Sequence, residues 1–239
     1  MKAAGNLKIP TILIGNFTWY DIYSHFPEAK NETHLIQSLA EEYSHSTLQI
    51  LPQCHLDNKV IHHKKEVGFI ANNGKNMRND LVSFLGKKAE NKFLVFIYLG
   101  EHGTRTVNWS NLRNNKDCLF LTRDPIKHPD VHFIDDKFSY HDLIASSDIT
   151  LTKGGYSTLA TSFANHKPVI TCERDDFYEF KAVREYLQKR QIGIIVKSAP
   201  FKQGDWQEPI KEALKLTVKN KVPLNGEIEI AKIVQQMLS

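Results

Sequence analysis

Two short stretches of this chain combine residue types suited to holding an anion. The first is Thr152-Lys153-Gly154-Gly155-Tyr156-Ser157-Thr158, which follows an apolar run and precedes a helical pattern. Adjacent glycines let the backbone come close to a ligand, and a helix start behind them offers unpaired N–H groups at a positive dipole end. Lys153 adds a formal charge, while Ser157 and Thr158 add hydroxyls; together these make a phosphate cradle. The second stretch, Leu99-Gly100-Glu101-His102-Gly103-Thr104, has only a Gly-x-x-Gly spacing. Taken alone, that spacing also describes an ordinary tight turn. Neither stretch is a P-loop, because Lys153 precedes its glycines, and the ordinary dinucleotide fingerprint is absent.

A third cluster, Cys172-Glu173-Arg174-Asp175-Asp176-Phe177-Tyr178-Glu179-Phe180, suits a polyhydroxylated ligand. Its carboxylates accept from hydroxyls and Arg174 serves an anion. Asp175 and Asp176 read more simply as an acidic helix start. The eleven histidines do not spell a metal site: His62 and His63 point apart on an extended chain, and no carboxylate–histidine spacing recurs. His141 reads as a structural residue on a helix face over Ile144 and Ala145. The aromatic run from Phe17 to Tyr23 reads as a packed junction between layers.

The elements that must position these groups alternate. Apolar strand patterns occur at residues 67–70, 93–99, 118–121, 132–134, 149–152, 169–171 and 194–196, with helical patterns at 77–85, 140–146, 158–164, 177–189 and 207–218. Short apolar strands separated by helices imply parallel pairing with both sheet faces covered. The pattern predicts a doubly wound parallel α/β sheet, in which ligands bind beyond the carboxyl ends of the strands. The front of the chain predicts one βαβ unit, with strands at 9–14 and 48–51 around a helix at 32–43. Such a unit cannot bury both its faces alone. The expected division is 1–58, 59–222 and a capping helix over 223–239.

Composition sets outer limits. Apolar residues make up 41% and charged residues 24% of 239 positions, which excludes a disordered or collagenous chain. The formal charge of +4 is spread along the sequence, unlike the concentrated basic face of a nucleic-acid binder. No apolar run approaches bilayer-spanning length. Three scattered cysteines and no convincing signal peptide point to a cytoplasmic protein.

Read in order, several segments resemble the donor-binding half of glycosyltransferases with the GT-B fold, of the MurG type. They are Tyr140-His141-Asp142-Leu143-Ile144-Ala145-Ser146-Ser147-Asp148, the Lys153–Thr158 loop, Lys167-Pro168-Val169-Ile170 and Arg174-Asp175-Asp176-Phe177-Tyr178-Glu179. The similarity is greatest to predicted glycosyltransferases related to the front part of arabinokinase-like proteins. Asn16-Phe17-Thr18-Trp19 resembles a segment near the end of that family's first domain.

The resemblance implies two Rossmann-like domains and a glycosyltransferase moving a hexosyl or N-acetylhexosaminyl group from a UDP-sugar. It places Gly100, Gly103, Gly154, Gly155, Ser157 and Thr158 near the diphosphate, Phe133 and Ile134 beside the base, and Arg174 and Glu179 toward the sugar. At position 161 the family carries a glutamate for the ribose hydroxyls, and this chain has Thr161. The implied enzyme uses no cofactor or metal beyond its nucleotide-sugar substrate. Because only the last part of the first domain is represented, the resemblance implies a truncated or split enzyme. A second chain would supply the acceptor domain, and no catalytic base can be named. Peripheral membrane contact stays open. The rival readings are a non-catalytic nucleotide-sugar-binding module and a sugar-nucleotide epimerase.

Overall fold

The computed structural model describes residues 1–238. The elements in its first part are α1 (Lys2–Asn6), β1 (Ile12–Ile14), α2 (Trp19–Tyr23), α3 (Thr33–Ser44), β2 (Leu48–Pro52) and β3 (Lys64–Val67). There follow α4 (Arg78–Leu85), β4 (Phe93–Tyr98), α5 (Gly100–Thr104), β5 (Cys118–Thr122), β6 (Val131–Phe133), α6 (Tyr140–Ser146), β7 (Ile149–Thr152) and α7 (Tyr156–Ala164). The last are β8 (Val169–Cys172), α8 (Phe180–Arg190), β9 (Gly193–Val196), α9 (Ser198–Lys202), α10 (Gln207–Ala213) and α11 (Gly226–Leu238). They form two compact units. One takes Met1–Ile70, Asp175–Tyr186 and the segment from Pro223 on; the other takes Ala71–Arg174 and Leu187–Val222.

In the first unit, β1, β2 and β3 form a parallel three-stranded sheet in that order. The expected βαβ unit is present as β1, α3 and β2. Pro10 lies outside β1, consistent with its missing N–H. The strand expected at 67–70 is instead Lys64–Val67, and it joins this sheet through β2. Its Lys64, Lys65 and Glu66 are not buried, so an edge strand carrying charge hid from an apolar pattern. The strand stops at Gly68 because the chain from Leu224 to Gly226 crosses there. A Cβ on Gly68 would come within 2.4 Å of the Leu224 carbonyl oxygen.

Ile12, Leu48, Ile50 and Val67 meet Ile230 and Ile233 of α11 on one face of this sheet. At the C-terminal end of β1, Thr18 caps α2 reciprocally with Asp21. Asn58 Nδ2 donates to Thr18 Oγ1 at 2.9 Å and to Asp21 Oδ2 at 3.2 Å, so a buried network fixes the helix entry. The aromatic run is therefore a capped helix.

Gln49 on β2 is fully buried, and neither its amide nitrogen nor its oxygen has a hydrogen-bond partner. A buried amide left unpaired costs about 1–3 kcal/mol. Gln49→Leu is expected to raise the urea midpoint with an unchanged slope; a lower midpoint would mean that the amide is satisfied in solution.

The second unit is a parallel six-stranded sheet in the order β6-β5-β4-β7-β8-β9. Both faces are covered, as a doubly wound sheet requires. One face buries Val95, Ile97, Phe120, Ile149, Leu151 and Ile170 with Trp206 and Ile210. The other buries Leu94, Phe96 and Leu121 with Leu81, Phe138, Leu143 and Ile144. Arg78 ties α4 to the sheet, donating to Asp148 Oδ2 at 2.9 Å and to the carbonyls of Ser146 and Lys92. Helix α10 ends at Ala213, short of the expected 218, and α7 begins at Tyr156, one half-turn ahead of the expected Thr158.

Candidate functional site

Strand order decides where this fold can hold a ligand. From β4 the chain proceeds to β5 and β6 on one side; after β6 it crosses back to β7 and continues to β8 and β9 on the other. The switch point lies between β4 and β7, and the loops beyond their carboxyl ends flank the crevice where open α/β sheets bind ligands. Those loops are the two glycine-bearing stretches singled out in the sequence.

Gly100 has φ +74 and Gly154 has φ +85, a left-handed conformation that glycine adopts without strain. A Cβ on Gly100 would stand 3.5 Å from Lys153 Nζ, so the ammonium of the second loop lies over the bare backbone of the first. Gly154 turns the chain out of β7, its N–H donating to Thr152 Oγ1 at 3.3 Å. Gly155 is the N-cap of α7 and receives no side-chain cap. The N–H groups of Gly155 and Ser157 meet no acceptor among the described residues. The nearest heavy atom to a Cβ on Gly155 would be Lys153 Cε at 3.9 Å, which leaves space in front of the helix end. Open amides, a helix dipole and a lysine converge on one point.

Thr158 sits just inside α7 and is buried. Its amide already donates to the Gly155 carbonyl at 3.1 Å. Its Oγ1 accepts from the Tyr140 hydroxyl at 2.8 Å, which leaves the threonine proton to donate elsewhere. Burial pushes the Tyr140 phenol up to about 12, with the Thr158 hydrogen bond pulling the other way, so Tyr140 stays a neutral donor. Thr161 lies one turn further along α7, buried, with its carbonyl accepting from Asn165.

The residue that the sequence did not disclose is Asp124, just after β5. Its Oδ2 accepts from the amides of Leu99 at 2.6 Å and Gly100 at 3.0 Å. Burial pushes this carboxyl above its ordinary range, while the two amides and the Lys153 charge pull it down. Gly100 thus spends its N–H inward and offers the crevice room beneath Lys153. The local signal was Thr122-Arg123-Asp124-Pro125, in which Thr122 Oγ1 accepts the Asp124 N–H.

The other expected residues lie further out. Gly103 packs inside the single turn of α5, where a Cβ would meet Leu99 Cβ at 3.0 Å. Phe133 is exposed at the end of β6, two strands from β4. Ile134 is fully buried in the core with Phe138 and Leu143, which leaves only its backbone to border a base. Arg174 follows β8, on the far side of β7 from β4. Glu179 belongs to the first unit, where its Oε1 accepts from Asn16 Nδ2 at 2.7 Å. Among the described residues, no group of three or more His, Cys, Asp or Glu side chains is arranged to hold a metal ion. No described helix is long and apolar enough to cross a membrane.

No family model matches the chain. The L-arabinokinase of Arabidopsis thaliana is 23% identical over 239 residues; the match spans 98% of this chain and 23% of that protein. Among solved structures, the spinosyn rhamnosyltransferase SpnG complexed with thymidine diphosphate superposes with a TM-score of 0.62 at 13% identity, covering 100% of this chain and 70% of that one. The spinosyn forosaminyltransferase SpnP gives 0.60 at 18% identity, covering 98% and 68%. SnogD, a glycosyltransferase from Streptomyces nogalater, gives 0.55 at 15% identity, covering 98% and 69%. The chain has the Rossmann-like α/β fold of the GT-B glycosyltransferases.

Proposed function

We propose that this chain holds the nucleoside diphosphate of a sugar donor and serves hexosyl or N-acetylhexosaminyl transfer, with a UDP-sugar as donor in the manner of MurG-type enzymes. The observation that carries this reading is the convergence of Lys153 and the open amides of Gly155 and Ser157 at the β4–β7 switch point. In glycosyl transfer the bond from the anomeric carbon to the β-phosphate oxygen breaks, and a new one forms to an acceptor oxygen. Negative charge accumulates on the departing phosphate. Fixed N–H dipoles and an ammonium aimed at that oxygen stabilise the transition state more than the ground state. The Thr158 hydroxyl, held from behind by Tyr140, is a further donor. The reading calls for no metal or other cofactor. A base outside the crevice described takes the acceptor proton. The glycosyltransferase folds above, one of them solved with thymidine diphosphate, support the assignment.

Calorimetric titration with UDP, thymidine diphosphate and UDP-sugars tests it. Binding at roughly 10–500 μM by the chain alone is expected for a half-site with about three polar anchors. Silence toward all of them at millimolar concentration would remove the reading.

Thr161 favours a second reading, a binding module without catalysis. A threonine cannot accept two ribose hydroxyl protons as a carboxylate does, and the lost charge-assisted bond is worth about 1.5–3 kcal/mol. Thr161→Glu is therefore expected to tighten UDP binding at least tenfold if the site has decayed. Unchanged affinity would mean that Thr161 already belongs to a working pocket.

A further inference from the structure

The first unit holds a cavity of its own. Its volume is about 490 Å³, and its walls come from α2, the loop after β2 and the start of α8. Its apolar lining is Leu56 and Ala182, which pack with Ile22. His25 and Tyr178 stand in the wall as stacked rings, with centroids 3.4 Å apart and planes 14° from parallel. The remaining wall is charged in both senses: Lys59 and Lys181 face Asp57 and Glu185 across it. Asp57 lies 3.1 Å from Lys64, and Lys181 reaches the Tyr178 hydroxyl at 3.4 Å. The side chains of Lys59 and Glu185 have no partner among the described residues.

The backbone fixes what the histidines offer. His25 Nδ1 lies 2.7 Å from the Asp21 carbonyl oxygen, and His55 Nδ1 lies 3.1 Å from that of Leu56. A carbonyl only accepts, so each Nδ1 carries the proton and each neutral ring keeps Nε2 as an acceptor. The mixture of groups selects the occupant. A polypeptide segment laid over the cavity would strand its charges away from water. An anion would meet Asp57 and Glu185, and a cation would meet Lys59 and Lys181. A hydroxyl both donates and accepts, so a ring bearing several of them serves ammonium, carboxylate and imidazole together. The C–H face of such a ring covers an aromatic plane.

We propose that this cavity binds a neutral polyhydroxylated ring, a monosaccharide or cyclitol, held by Lys59, Glu185 and His25 Nε2 against the His25–Tyr178 stack. The volume falls within the roughly 300–1,000 Å³ of small-molecule sites. The proposal stands apart from the nucleotide reading, because no residue of the β4–β7 crevice lines the cavity.

Titration of the full chain with D-glucose, D-galactose, D-xylose and myo-inositol, followed in amide proton–nitrogen NMR spectra, tests it. A dissociation constant of about 1 mM is expected for a ligand this small, with shifts confined to residues 20–25, 55–59 and 178–185. Glu185 is exposed, and Glu185→Ala should weaken binding about tenfold. Tyr178→Leu keeps an apolar side chain against Ile22 and Leu56 but removes the shelf, and should weaken binding about fivefold. Circular dichroism of both variants should match the parent. Silence toward all four compounds at about 50 mM would overturn the proposal. Larger shifts of the same amides with inorganic phosphate would overturn the neutral ligand class, and parent-like affinity in Glu185→Ala would overturn the site. UDP binding is read at the amides of 153–158, so a chain that binds sugar but no UDP would retain this proposal and remove only the functional one.

Discussion

Lys153→Glu is expected to weaken UDP binding about 100-fold or more while leaving the melting temperature within about 2 °C of the parent. The size follows from reversing a charge. A charge-assisted hydrogen bond to phosphate contributes about 1.5–3 kcal/mol, and Lys153→Ala should lose that much, about tenfold or more in affinity. Glutamate at the same place adds repulsion against an anion held by the Gly155 and Ser157 amides. Stability should move little, because Lys153 is exposed and an exposed charge contributes little to folding. It lies over Gly100, which has no side chain, and its charge acts on the Asp124 carboxyl only as the smallest of the influences there. Uridine without phosphates serves as the control, and its weaker binding should be the same in parent and variant. If Lys153→Glu bound UDP as the parent does, the diphosphate would not sit at this bend.

The β7–α7 bend was legible in the sequence because every part of it is local. A lysine, two glycines and a helix start follow one another, and the apolar strand before them names the end of the sheet that they occupy. The doubly wound architecture was legible for a similar reason: Leu94-Val95-Phe96-Ile97 and Val169-Ile170 are too apolar for a strand with a wet face. What the sequence withheld depends on order in space. Asp124 reaches Leu99 and Gly100 because β5 lies beside β4, and no residue near position 124 encodes that neighbour. The resemblance sets Ile134 beside the base, while the fold puts its side chain in the core and leaves only its backbone for a ligand. Short helices were lost as well. Trp19–Tyr23, capped by Thr18, and Gly100–Thr104, whose N-cap Leu99 offers no side-chain cap, are single turns below the length at which helical periodicity can be read. β3 was misplaced because Lys64, Lys65 and Glu66 pair as an edge strand despite their charge.

Asp124 yields the second large effect, and two substitutions separate its parts. Asp124→Ala leaves the amides of Leu99 and Gly100 without their acceptor, and Leu99 is 2% exposed. At about 1–3 kcal/mol for each buried donor left unpaired, the loss should be roughly 3 kcal/mol, or on the order of 6–12 °C for a chain of this size. Asp124→Asn should cost far less. A single oxygen, Oδ2, takes both amides in the parent, and the asparagine carbonyl can occupy the same place without a charge to desolvate.

The pH dependence has a definite sign. Burial first of all raises the Asp124 carboxyl in the folded chain above its unfolded value. Its contribution to stability is therefore fully present below the ordinary carboxylate range and is lost as pH rises through the elevated folded value. Parent minus Asp124→Asn stability should fall across that window and stay level above it. Binding should move the other way, because without the carboxylate Lys153 loses a competing charge, and Asp124→Asn should hold UDP at least as tightly as the parent. Equal destabilisation by alanine and asparagine would show that Asp124 does not stabilise the first loop by accepting its amides.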